Sequence, residues 1–165
     1  MDLIKALQSE LDQEAETTRK FIKLVPYDKL GWKPHSKSMD FKNLASHIAD
    51  LPGWIGYAIN SNGLNFADMG GWAPPAINSI DDLVKILDDN IDKGKAALAK
   101  ADINSFDEQW LLKNGEQVLA NWTRYQTIRH SFSQLIHHRA QLGVYFRLND
   151  IPLPGSYGPT ADTGQ

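Results

Sequence analysis

Apolar side chains recur at Leu3, Ile4, Leu7, Leu11, Ala15, Ile22 and Val25, with Thr18 in the same stripe and charged residues opposite. Spacing of three and four kept over about two dozen positions predicts one amphipathic helix, which Pro26 ends. A segment carrying Gly31, Pro34, Ser36 and Ser38 then reads as a loop. Ser38 or Asp40 can cap a second helix over residues 41–59. Its core face is Phe41, Leu44, Ile48, Leu51 and Ile55. Pro52 falls inside that pattern and has no N–H for the Ile48 carbonyl, so a kink is expected there.

Residues 60–75 carry Gly63, Gly70, Gly71 and two prolines and predict a long irregular loop around Trp72. Ser79-Ile80-Asp81-Asp82 resembles a capping box and opens a third helix, through Leu83, Val84, Leu87, Ile91 and Leu98 to about Lys100. Asn114-Gly115 lies between two apolar stretches and predicts a small hairpin with both residues in the turn at positive φ. Such a hairpin is not stable alone and should pack on the helices. Thr123-Arg124-Tyr125-Gln126 is a second capping box, starting a fourth helix that lasts to about Leu148. The pattern predicts an all-α four-helix bundle over residues 1–150, with the hairpin before the last helix and an extended, proline-limited tail over residues 151–165.

Composition narrows the functional classes. Hydrophobic residues at 42% and charged residues at 22% of 165 are ordinary for a folded domain with a real core. Seventeen basic against 20 acidic residues give a net charge of −3. No basic run concentrates the positive charge, so nucleic acid is not expected as a partner. Cysteine is absent, which excludes disulfides, thiolate nucleophiles and cysteine zinc sites. The N-terminus becomes charged too early for a signal-peptide core, and no apolar run approaches a membrane span. A cytoplasmic location is therefore expected.

Histidine carries the candidate chemistry. His47 lies beside the buried stripe of the second helix, and His130, Gln134 and His138 are spaced four apart on the fourth. Residues four apart share a helix face, so Gln134 and His138 can approach one ion; His130 and His138, roughly 12 Å apart along the axis, cannot. If the two helices are neighbours, His47 adds a ligand from across the bundle. Imidazole suits zinc, nickel, copper or ferrous iron, and three protein ligands leave positions open. The same histidines also fit a purely structural role, as packed or solvated helix residues. His137, rotated by about 100° from His138, should face elsewhere.

Leu44-Ala45-Ser46-His47-Ile48-Ala49-Asp50 and Ser133-Gln134-Leu135-Ile136-His137-His138-Arg139-Ala140-Gln141-Leu142 resemble the two signature segments of the DinB/YfiT-like superfamily. The likeness runs on through residues 143–152 and into Tyr157-Gly158-Pro159. It implies a bundle holding a divalent metal, zinc or nickel, by three histidines. One of them matches His47 and another His138. The third falls on Gln134, a departure from the pattern. Glutamine ligates through a harder, weaker oxygen donor. Three outcomes follow: weak binding through His47, His138 and Gln134 or water; a swing of His130 toward the site, which its distance from His138 opposes; or no metal, with Gln134 hydrogen-bonded to the two histidines.

Other positions border this set. Asp50 can orient the His47 ring or be solvated, and Trp54, seven residues after His47, can wall a pocket. Arg139 can hold an anionic substrate group or pair with a neighbouring acid. Tyr145 continues the His138 ladder and offers a hydroxyl or aromatic filling. The resemblance implies a metal-dependent hydrolase or low-molecular-weight-thiol S-transferase acting on a small molecule, and a homodimer. The alternative is a degenerate, non-catalytic small-molecule-binding or dimerisation module that has lost metal through Gln134.

Overall fold

The computed structural model describes residues 2–70 and 75–164. Gly71 and Trp72, expected in a loop, lie outside the described residues. Four side-chain oxygens start the long helical segments. Asp2 accepts from the Lys5 N–H and begins α1 (Leu3–Ile22). Asp40, not Ser38, accepts from the Asn43 N–H at 2.8 Å and begins α2 (Phe41–Asp50). Ser79 and Asp82 form a reciprocal capping box on α4 (Ile80–Ala99), and Thr123 and Gln126 form another on α5 (Arg124–Leu148). Each box satisfies two amide donors that a helix start otherwise leaves open. Helix α1 stops before Val25, as the residue ahead of a proline avoids helical backbone.

The expected kink at Pro52 is a full break. Residues Leu51–Gly53 form a single 3₁₀ turn, and α3 (Trp54–Asn60) resumes beyond it. Three residues at about 120° instead of 100° turn the face of α3 by about 60° relative to α2. Carbonyls near the break find side-chain donors on the neighbouring helices. Asn90 of α4 donates to the Ala49 carbonyl at 3.1 Å, and the Ser131 hydroxyl of α5 donates to the Leu51 carbonyl at 2.7 Å. Both donors are buried, so the break is held from two sides.

Close approach to α4 requires small residues. A Cβ on Gly94 would stand 2.9 Å from the Pro52 carbonyl oxygen and 3.3 Å from a Leu11 methyl. Gly94→Ala is therefore expected to destabilise the protein by about 1–3 kcal/mol, although alanine is the better helix former. A urea unfolding midpoint at or above the wild-type value would contradict this account.

The core forms two clusters along the bundle axis. Phe21, Ile22, Phe41, Leu44, Ile48, Leu83, Leu135 and Phe146 make one, and Leu7, Leu11, Ile55, Leu98, Ile128 and Phe132 the other. Helix α2 feeds the first and α3 the second, so the break divides one amphipathic pattern between two core regions. Four helical rods thus make the bundle, with the second in two pieces.

A three-stranded sheet caps it, in the order β1-β2-β3. Strands β2 (Gln109–Asn114) and β3 (Gln117–Thr123) form the expected hairpin, one residue out of the expected register. Asn114 pairs with Gln117, so the turn residues are Gly115 and Glu116. Only Gly115 takes a positive φ, the arrangement of a hairpin turn with glycine first. The segment expected to be wholly irregular supplies β1 (Gly63–Asn65), parallel to β2. Gly63 fits against the Leu111 backbone where a Cβ would collide with its carbonyl oxygen. Trp110, fully buried, ties the sheet to α3 by donating its indole N–H to the Tyr57 carbonyl at 3.2 Å.

Candidate functional site

Helices α2 and α5 are neighbours, which brings His47 and His138 together. Their rings meet edge to face with centroids 4.6 Å apart. Gln134, one turn before His138 on α5, places its Oε1 2.9 Å from His138 Nε2. On the ring's other side Gln141 Oε1 lies 2.9 Å from Nδ1. When Nδ1–H donates to Gln141, Nε2 of the neutral ring keeps its lone pair on the side of Gln134. A carboxamide turned by half a rotation then offers NH₂ in place of oxygen. Gln141 also reaches His137 Nε2 at 3.0 Å, so one amide connects two adjacent imidazoles. The His137 ring packs 4.9 Å from His138, closer than its rotation around the helix suggests.

Burial sets the protonation of the pair. It pushes the His47 imidazole down to about 4, and the nearby His138 adds to the shift. Burial also lowers His138, against the opposing effect of its hydrogen bond to Gln141. Both rings are therefore neutral at pH 7. The unfolded chain takes up a proton near 6.5 while folded His47 resists until about 4, so folding loses stability as pH falls through that window. Denaturant midpoints measured at pH 7 and pH 5 are expected to drop, with a smaller drop in His47→Asn. An equal drop in both proteins would show that His47 is not responsible.

The other predicted positions separate. The Asp50 carboxyl is raised by burial, with a hydrogen bond from Trp54 and the charge of Lys93 opposing, and it lines a groove beside α4. Trp54 packs edge-on against Tyr57 and Phe66. His130 stacks on Trp122 of β3 with centroids 4.4 Å apart, which commits it to sheet packing. Arg139 takes the acid-pairing alternative: its guanidinium lies 2.6 Å from the Glu14 carboxylate, with both side chains buried. Tyr145 donates its hydroxyl to the Met39 carbonyl at 3.0 Å and so ties down the loop before α2.

That loop is the part of the site sequence reasoning missed. Lys37, Ser38 and Met39 face His138, Gln141, Val144 and Tyr145 across an open cleft of about 440 Å³. Turn-forming residues marked the loop, but no local rule says which face of the bundle a loop covers. Among the described residues, no group of three or more His, Cys, Asp or Glu side chains gathers in a metal-holding arrangement. The side-chain oxygen next to His138 Nε2 is instead that of the Gln134 amide. No described helix is long and apolar enough to cross a membrane.

Solved structures share this architecture. A DinB-like protein, YjoA, from Bacillus subtilis superposes with a TM-score of 0.69 at 18% identity, covering 94% of this chain and 99% of that one. A proposed member of the DinB family from Exiguobacterium sibiricum superposes with a TM-score of 0.71 at 21% identity, over 99% and 98% of the two chains. The chain has the DinB-like fold. A mycothiol-dependent maleylpyruvate isomerase is similar over 85% of this chain and 60% of its own, with a TM-score of 0.58 and 11% identity. No protein-family model and no curated protein matches the sequence. Within the DinB-like fold, this site combines two histidines with a glutamine, and the buried Arg139 serves α1.

Proposed function

We propose that His47, His138 and Gln134 hold a divalent transition metal, zinc or nickel, and that the adjoining cleft admits a small-molecule substrate for hydrolysis or low-molecular-weight-thiol transfer. The observation that carries this reading is the pair of imidazoles from separate helices, 4.6 Å apart and held neutral by burial. Metal ligation needs an unprotonated ring nitrogen, and each neutral imidazole already offers one at neutral pH. The donor set fits such an ion: two imidazole nitrogens suit zinc or nickel, and the amide oxygen is a harder, weaker third donor. When bound, the ion supplies Lewis acidity to a thiol, water or carbonyl.

The chain's own residues do the positioning. Gln141 accepts Nδ1–H from His138 and so keeps Nε2 directed inward. Lys37 at the cleft edge favours an anionic group on the substrate. Tyr145 fixes the wall by holding Met39 and is not assigned a proton-transfer role. Arg139 is committed to Glu14 and takes no substrate anion. The protein is taken to work in the cytoplasm as a homodimer, which light scattering on a size-fractionated sample checks.

The contact between Gln134 and His138 Nε2 favours a second reading, a non-catalytic binding or dimerisation module in which the amide occupies the ligand nitrogen. Metal analysis of protein purified without chelator, followed by zinc and nickel titration, separates the two. Near-stoichiometric uptake that His47→Ala and His138→Ala abolish supports the metal site. Less than about a tenth of an equivalent, with no uptake on titration, supports the module.

A further inference from the structure

A groove of about 650 Å³ runs between α2–α3 and α4, and it shares no lining residue with the His138 cleft. Its lining includes Gly53, Gly56, Ala96 and Ala97, with Asp50, Lys93 and Lys100 among the charged residues. Gly53 has a packing reason, since a Cβ there would meet Asn90 Oδ1 at 2.8 Å. Gly56 has none. A Cβ on it would meet only Asn60 Nδ2, at 4.0 Å, and its φ is not positive. Glycine is among the least favourable residues inside a helix, so the fold gains nothing from it there. What Gly56 provides is depth in the groove.

The polar groups are spaced along that depth. Lys93 and Lys100 lie on one face of α4, about 10 Å apart along its axis. Lys93 donates to Asn90 Oδ1 at 3.3 Å and its charge bears on Asp50, so one end of the groove holds an acid, an amide and a partly engaged ammonium. Lys100, at the C-terminal cap of α4, is exposed at the other end. Tyr57, Asn60 and Ser61 complete the rim, so the groove is a concave surface with a small-residue floor inside a polar border, which offers contact to a slender body and hydrogen bonds or charge at its ends.

We propose that this groove binds an elongated organic anion. A flat or unbranched apolar body lies over Gly56, Ala96 and Ala97, the acidic head group is taken by Lys100, and a hydroxyl or amide at the far end is taken by Asp50 and Asn90. The site is independent of the imidazole pair and of whether metal is bound there.

Amide NMR on the full-length protein titrated with phenylbutyrate tests it. Saturable shifts are expected at Gly53, Gly56, Ala96 and Ala97. Lys100→Ala is expected to weaken binding about tenfold, and replacing the probe by the uncharged phenylbutanol to do the same. Gly56→Leu fills the groove with a better helix former, so it is expected to abolish binding while leaving the thermal midpoint unchanged or higher. The proposal is overturned by the absence of saturable shifts, by equal binding of the alcohol, by undiminished binding to Gly56→Leu, or by shifts confined to the His138 cleft.

Discussion

Replacing Glu14 by alanine is expected to cost about 3–5 kcal/mol of stability, because it leaves the Arg139 guanidinium buried without its counter-charge. Glu14 sits on α1 and Arg139 on α5, joined at 2.6 Å, with the two side chains 8% and 2% exposed. The guanidinium also donates to the Thr18 hydroxyl at 2.9 Å and to the Tyr157 hydroxyl at 2.8 Å. Tyr157 in turn donates to Glu14 Oε1 at 2.7 Å, so a residue of the C-terminal tail closes the network. Tyr157→Phe removes a donor without stranding a charge and is expected to cost only about 1–2 kcal/mol. The double variant Glu14→Leu/Arg139→Met removes both charges and should lose less than Glu14→Ala alone. Chemical denaturation of the three proteins checks the ordering. A loss below about 1 kcal/mol for Glu14→Ala would show that Arg139 finds another acid or water.

Gln134→His is expected to raise zinc or nickel affinity by at least about a hundredfold, since it replaces the amide oxygen beside His138 by a third imidazole. Histidine at that position also removes the amide that contacts His138 Nε2. Titration calorimetry at pH 7 measures the gain, and the triple change with His47→Ala and His138→Ala should erase it. An unchanged affinity in Gln134→His would mean that position 134 does not face the ion. If wild-type protein takes up no metal and Gln134→His takes up one equivalent, the present site is a binding pocket built on a former metal centre.

The helices were legible because their signals are local. Caps at Ser79 and Thr123 act over three residues, and the apolar stripes of α1, α2 and α4 repeat over three or four. A kink at Pro52 was legible for the same reason, as a missing N–H is a property of the residue itself; the full break was not, because the donors Asn90 and Ser131 that hold nearby carbonyls lie on other helices. The hairpin was legible in kind and not in register. Asn114-Gly115 satisfies the local turn rule, yet pairing with β3 and the irregularity at Leu112 and Lys113 moved the turn to Gly115-Glu116. Strand β1 gave no periodic signal in three residues; it exists because β2 offers it an edge.

At the site, the sequence singled out His47, Gln134 and His138; helix geometry alone pairs the last two, and the packing of α2 on α5 decided that His47 meets His138. It also decided against a shared role for His130, which the indole of Trp122 holds on the sheet side. The sequence also carries a local signal for the buried ion pair: Glu14 interrupts the apolar stripe of α1 between Leu11 and Ala15, where a charge must find a partner. The sequence alone could identify that demand. Only the tertiary structure could meet it, since Arg139 lies 125 residues away and comes within reach only through the crossing of α1 and α5. Short-range geometry is written residue by residue in the chain, whereas long-range partners are chosen by which packing of the whole bundle buries the most apolar surface without stranding a charge.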